Sequence, residues 1–148
     1  PGPSGAPGPS GSPGPQGAAG PAGAGAGLVG GAGFWDDLDD AGWLGLGQRQ
    51  NVESSRTAVA GPVPAGGSIT SFRAALAAAA PTGGVTLTFW IGSSATSLTC
   101  TIAAAADECS VPAAAPLAVS AGERVSVMVE KAPAAPAVRG VSWSAALS

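Results

Sequence analysis

The chain has 148 residues, including 24 glycines and 14 prolines, and only 10% of its residues are charged, with a formal net charge of −3. It contains no histidine, which excludes a Ser-His-Asp triad, a Cys-His catalytic pair and a histidine-based zinc site, so we expect no enzyme. It also lacks a basic patch for nucleic acid and an apolar run approaching the roughly 20 residues of a transmembrane helix. We therefore expect neither nucleic-acid binding nor membrane insertion.

The first 25 residues follow a three-residue glycine repeat. Only glycine fits at the crowded axis where three polyproline II chains meet, and proline in most of the triplets presets the required φ angle. The pattern therefore predicts a collagen triple helix over residues 1–25, and with it a homotrimer, whereas a single chain would be a disordered linker. The repeat stops at Ala26 after eight glycines: Gly2, Gly5, Gly8, Gly11, Gly14, Gly17, Gly20 and Gly23.

Residues 26–43 are interpreted as a flexible joint followed by an acidic, aromatic neck. If three chains meet there, the carboxylates surround one axis, and hard oxygen ligands suit calcium, so no cofactor other than calcium is expected. The composition favours a simpler alternative, a capping turn whose apolar residues pack onto the head. A third interpretation is carbohydrate stacking on Trp35 or Trp43. The candidate calcium ligands are Asp36, Asp37, Asp39 and Asp40.

From residue 44 to residue 148, short alternating apolar segments are separated by Gly, Pro and Ala turns. The alternation predicts strands at 68–76, 85–91, 98–102, 117–119, 123–131 and 141–147. Residues 73–80 have the highest helix propensity of the chain, but the alternation of Phe72, Ala74 and Leu76 favours a strand. The spacing of the turns predicts an all-β antiparallel sandwich or barrel.

Six large side chains in these strands are predicted to fill either the core or the trimer interface, because a strand presents two faces and the pattern does not say which meets a neighbour. They are Phe72, Phe89, Trp90, Val125, Val127 and Trp143.

Cys100 and Cys109 are the only cysteines. Segments 98–102 and 109–111 could pair as a hairpin, which a disulfide would staple with a stabilisation of roughly 2–3 kcal/mol. The alternative is two buried free thiols, while a metal site is disfavoured because two sulfurs supply half of a tetrahedral set. A disulfide implies an oxidising, extracytoplasmic location.

Four head segments carry a resemblance to a known group of proteins: residues 57–72, 98–102 with Cys109, 119–127 and 140–144. These segments resemble the heads of bacterial collagen-like surface proteins, including exosporium filament proteins of spore formers, and the triplets resemble the collagen-like part of the same proteins. The resemblance implies a jelly roll of the tumour-necrosis-factor and complement-head type, assembled as a trimer and displayed outside the cell or on a spore. This head is short for an eight-stranded jelly roll.

These observations predict a structural protein whose head trimerises and registers the collagen triple helix. The alternative is an adhesin, or a phage or virus fibre tip, whose head binds a surface glycan or a protein receptor.

Overall fold

The computed structural model describes residues 1–5, 8, 27–34, 40–47, 49–51, 53–133, 135, 136, 138 and 140–148. Within these residues the chain is an all-β sandwich with one short helix, which confirms the predicted fold of the head. The elements are β1 (Gly27–Phe34), β2 (Ala41–Leu44), β3 (Arg49–Asn51), α1 (Arg56–Val59), β4 (Gly61–Pro62), β5 (Gly67–Leu76), β6 (Val85–Ile91), β7 (Ser94–Ile102), β8 (Glu108–Val119), β9 (Arg124–Lys131) and β10 (Val141–Leu147).

The strands form two sheets. Sheet A has the order β3-β1-β10-β5-β8, and sheet B has the order β2-β9-β6-β7, with β4 also pairing with β9. Every ladder is antiparallel except the β1–β3 pair, which is parallel. The first and last strands, β1 and β10, are neighbours in sheet A, so the two ends of the described sandwich are hydrogen-bonded to each other.

The core lies between the sheets and is centred on three aromatic rings. The ring centroids of Phe89 and Trp143 are 5.6 Å apart, and Phe72 lies 5.8 Å from Phe89 and 6.3 Å from Trp143. Val125 and Val127 on β9 are fully buried in the same core. Burial of each such side chain stabilises the fold by about 1.5–3 kcal/mol. Five of the six residues assigned to core or interface therefore serve the core of a single chain.

The sandwich begins earlier in the sequence than residue 44. The glycine-rich segment 27–34, predicted as part of a joint, is strand β1, and it pairs with β10 from Gly27 opposite Leu147 to Gly33 opposite Val141. Residues 41–44, predicted as part of the neck, form β2 beside β9. The joint prediction failed because Gly31, which faces the core, carries no side chain to reveal the alternation.

The two ends of the sandwich hold different parts of the chain. Gly27 and Ser148 lie at one end, here called the triplet end because the Gly-X-Y repeat precedes residue 27. Phe34 lies near Val141 at the opposite, far end, and there the Lys131 amide donates to the Asp40 carbonyl at 2.9 Å. Phe34, which precedes the acidic run of the predicted neck, and Asp40, the last carboxylate of that run, are therefore at the far end. The length of β1, about 23 Å, separates this end from Gly27.

Candidate functional site

The outer face of sheet A, here called face A, is built mostly of small side chains. On β1 the alternation turns Val29 and Gly33 inward, and the register with β10, β5 and β8 extends the same division across the sheet. The outward positions are Leu28, Gly30, Ala32, Phe34, Ser71, Arg73, Ala75, Glu108, Ser110, Pro112, Ser142, Ser144 and Ala146.

Two large apolar side chains of face A remain in water. Leu28 is 78% exposed and Phe34 is 54% exposed, and they are the exposed large hydrophobic residues of the described chain. They occupy the first and last outward positions of β1, so they mark both ends of the face. Face A therefore carries one exposed apolar side chain near each end of β1.

On β1, β10, β5 and β8 the charged side chains of face A balance each other. They are Arg73 and Glu108, which lie on neighbouring strands and form an ion pair with each other. The pair is solvent-exposed, so it contributes little to stability. These four strands therefore present no net charge on face A.

The outer face of sheet B, here called face B, has a different chemistry. Thr86 contacts Thr101 at 3.3 Å and Thr88 contacts Thr99 at 3.4 Å, hydroxyl to hydroxyl, along the β6–β7 ladder. Threonine fits a strand whose outer side is solvated, because its methyl group packs while its hydroxyl stays hydrated. The β6–β7 part of face B is therefore more polar than face A.

Trp90, the sixth residue assigned to core or interface, lies on face B and is half-buried. It packs edge-on against Trp43, with 5.0 Å between the ring centroids. The Arg56 guanidinium lies 6.0 Å from the Trp43 ring and 5.9 Å from the Trp90 ring. The chain's own arginine therefore lies beside both indoles. Carbohydrate stacking on Trp43 remains a prediction, and Trp35 lies outside the described residues.

Cys100 and Cys109 form a disulfide, with 5.9 Å between their Cα atoms, and the predicted bond is confirmed. Its predicted setting in a hairpin is wrong. Cys100 lies on β7, an edge of sheet B, and Cys109 lies on β8, an edge of sheet A. Between these strands the chain crosses from one sheet to the other, so the disulfide ties the two sheets together.

The one described member of the proposed calcium cluster, Asp40, accepts a hydrogen bond from Lys131 Nζ at 2.9 Å. The Lys131 side chain is only 4% exposed, whereas the Asp40 side chain is 52% exposed. Asp36, Asp37 and Asp39 lie outside the described residues. Over the described part of the chain, no group of three or more His, Cys, Asp or Glu side chains is placed to hold a metal ion.

The triplet glycines are described only in part. Gly2, Gly5 and Gly8 are exposed, and a Cβ added to any of them would meet no atom of this single chain within 4 Å. The other predicted triple-helix glycines, Gly11, Gly14, Gly17, Gly20 and Gly23, lie outside the described residues.

One pattern in the sequence indicates face A, although the prediction of a flexible joint did not use it. Leu28 and Phe34 are six positions apart, so in a strand they fall on the same face.

No family model, curated protein or solved structure matches this chain. Among its described elements there is no helix of the length and apolar character needed to span a membrane. The fold and the site together define a two-sheet antiparallel β-sandwich with one partly apolar outer face.

Proposed function

We propose that this chain is a structural, collagen-like protein of a bacterial cell or spore surface, whose head trimerises and sets the register of the triple helix. The observation that carries the proposal is the continuity of the repeat with β1. The last triplet glycine is Gly23, and only four positions later Gly27 begins the strand that carries Leu28 and Phe34. The repeat requires three chains, and the strand that follows it presents the exposed apolar side chains.

The mechanism we propose couples two weak associations. Covering Leu28 and Phe34 against neighbouring copies would stabilise the assembly by about 1.5–3 kcal/mol for each fully buried side chain. Three heads held together raise the local concentration of the attached triplet segments, because each is tethered by only a few residues. Association of the heads thereby offsets most of the entropic cost of aligning three flexible chains.

The direct test is the mass of the full chain in solution. Sedimentation equilibrium of the wild type is expected to give three times the 13.9 kDa of one chain. Leu28→Glu places a charge on face A and is expected to shift the chain to monomers. Leu28 is already 78% exposed, so the variant should still fold.

The matched control is Thr99→Glu, which places the same charge at an exposed position of face B. This variant is expected to remain a trimer. A monomeric wild type would refute assembly by the head, and a trimeric Leu28→Glu would refute the role of face A.

A further inference from the structure

A cavity of about 310 Å³ lies at the triplet end of the sandwich, away from face A. Its lining residue Arg124 fixes this position, because Arg124 begins β9 directly after the tight turn that follows β8. The cavity is lined by Arg56, Thr57, Ala60, Gly92, Ser93 and Arg124. We propose that it binds a small ligand through an oxyanion, a carboxylate or a phosphate, held by the two arginines.

The arginines are fixed by a closed ring of four hydrogen bonds. The Arg56 guanidinium donates to the Gly92 carbonyl, and the Gly92 amide donates to the Arg124 carbonyl at 2.7 Å. Arg124 Nε donates to the Ala60 carbonyl at 2.9 Å, and the Ala60 amide donates to the Arg56 carbonyl at 2.9 Å. A site whose charged groups are already held in place loses less entropy when a ligand binds.

The ring leaves the positive charge of both arginines uncompensated. Over the described residues the ion pairs are Arg73–Glu108 and Lys131–Asp40, and neither cavity arginine belongs to one. Glu123 precedes Arg124 in the chain, but its Oε2 accepts the Ser120 amide at 2.9 Å. Carbonyl oxygens satisfy N–H groups without neutralising charge, so both arginines would attract an anion in the cavity.

The donors that remain suit an oxyanion. Arg124 uses Nε on Ala60, which leaves its two terminal amino groups, and a guanidinium fork binds carboxylate or phosphate through paired N–H donors. The chain has only six Lys and Arg residues with a net charge of −3, so two arginines on one cavity are not a consequence of a basic surface. The cavity volume is at the lower end of the range for small-molecule sites, which suits one sugar-sized ligand.

The test is isothermal titration calorimetry of the full chain at low salt with three probes: sodium glucuronate, glucose 6-phosphate and glucose. Saturable binding of at least one of the two anions, without binding of glucose, supports the proposal. Glucuronate alone identifies a carboxylate, glucose 6-phosphate alone identifies a phosphate, and binding of both identifies a general oxyanion site. Absence of binding by both anions overturns it.

Variants localise the binding. Arg124→Gln is expected to weaken anion binding about tenfold or more, the effect of losing a charged hydrogen-bond donor. The control Arg73→Gln removes an exposed arginine of face A and is expected to leave the affinity unchanged. Equal weakening by both variants overturns the proposal, because it indicates non-specific attraction.

A second variant covers the case in which Arg124→Gln fails to fold. Thr57→Glu places a carboxylate at an exposed position of the cavity lining and should compete with the ligand for the arginines. Wild-type affinity in Thr57→Glu would also overturn the proposal. Sedimentation of the same variants separates this site from the proposed assembly, since neither substitution touches face A.

Discussion

Gly31 and Gly45 allow the two sheets to approach closely beside β1. A Cβ on Gly31 would overlap the Gly45 carbonyl oxygen, and a Cβ on Gly45 would overlap the Val59 carbonyl oxygen. Three stretches of backbone therefore stack with no room for a side chain. At these two positions glycine is required by space.

We predict that Gly31→Ala lowers the free energy of unfolding by about 3 kcal/mol, because the backbone of the Gly45 segment must move to accept the methyl group. Gly27→Ala on the same strand is the control, since its Cβ would lie 3.8 Å from the Leu147 side chain, an ordinary contact. Urea unfolding of both variants measures the difference. Equal free energies of unfolding for the two variants would contradict the prediction, because they would show that the backbone around Gly31 can move to accept the methyl group.

The Asp40–Lys131 ion pair connects the segment before β2 to the end of β9. We predict that Asp40→Asn lowers the free energy of unfolding by about 1–2 kcal/mol, because the nearly buried ammonium of Lys131 loses its contact with a carboxylate. Asp107→Asn is the control, because Asp107 is exposed and makes no ion pair. Thermal melts followed by circular dichroism provide the measurement, and equal midpoints for the two variants would contradict the expectation.

At the scale of elements, the disulfide joins two edge strands that are not hydrogen-bonded to each other. We predict that Cys100→Ala/Cys109→Ala lowers the free energy of unfolding by about 2–3 kcal/mol, because the open chain gains entropy when it unfolds. A reducing agent should lower the melting midpoint of the wild type and leave that of the double variant unchanged. A wild type that melts at the same temperature with and without the reducing agent would refute a stabilising role.

Strands were predictable where each inward position carries a large apolar side chain. In β6 and β9 the inward positions are occupied by residues such as Val85, Phe89 and Val127, so the two-residue period is visible in the sequence. β8 runs from Glu108 to Val119, whereas the sequence predicted only the separate segments 109–111 and 117–119. The prediction divided the strand because its prolines resemble breakers. β8 is an edge strand of sheet A, and an edge strand tolerates proline since one side needs no donor.

At the scale of the whole molecule, the candidate site could be predicted only in part. Periodicity predicts three chains, but it does not indicate which side chains of the head remain in water. That division depends on topology, which places Phe72 and Trp143 inside while leaving Leu28 and Phe34 outside. The arginine cavity was equally hidden, because Arg56 and Arg124 are 68 positions apart in the sequence and are brought together by the sandwich.

If the head registers the triple helix, damage to the head must reach the triplets, whereas damage to the triplets must leave the head intact. We predict that Gly14→Ala lowers the melting temperature of the collagen-type circular dichroism signal, because no Cβ fits at the axis of a triple helix, while sedimentation still gives a trimer. Leu28→Glu should abolish both the trimer and the triple-helix signal, although its substitution lies outside the repeat. A triple-helix signal that survives in monomeric Leu28→Glu heads would show that the triplets assemble independently of the head.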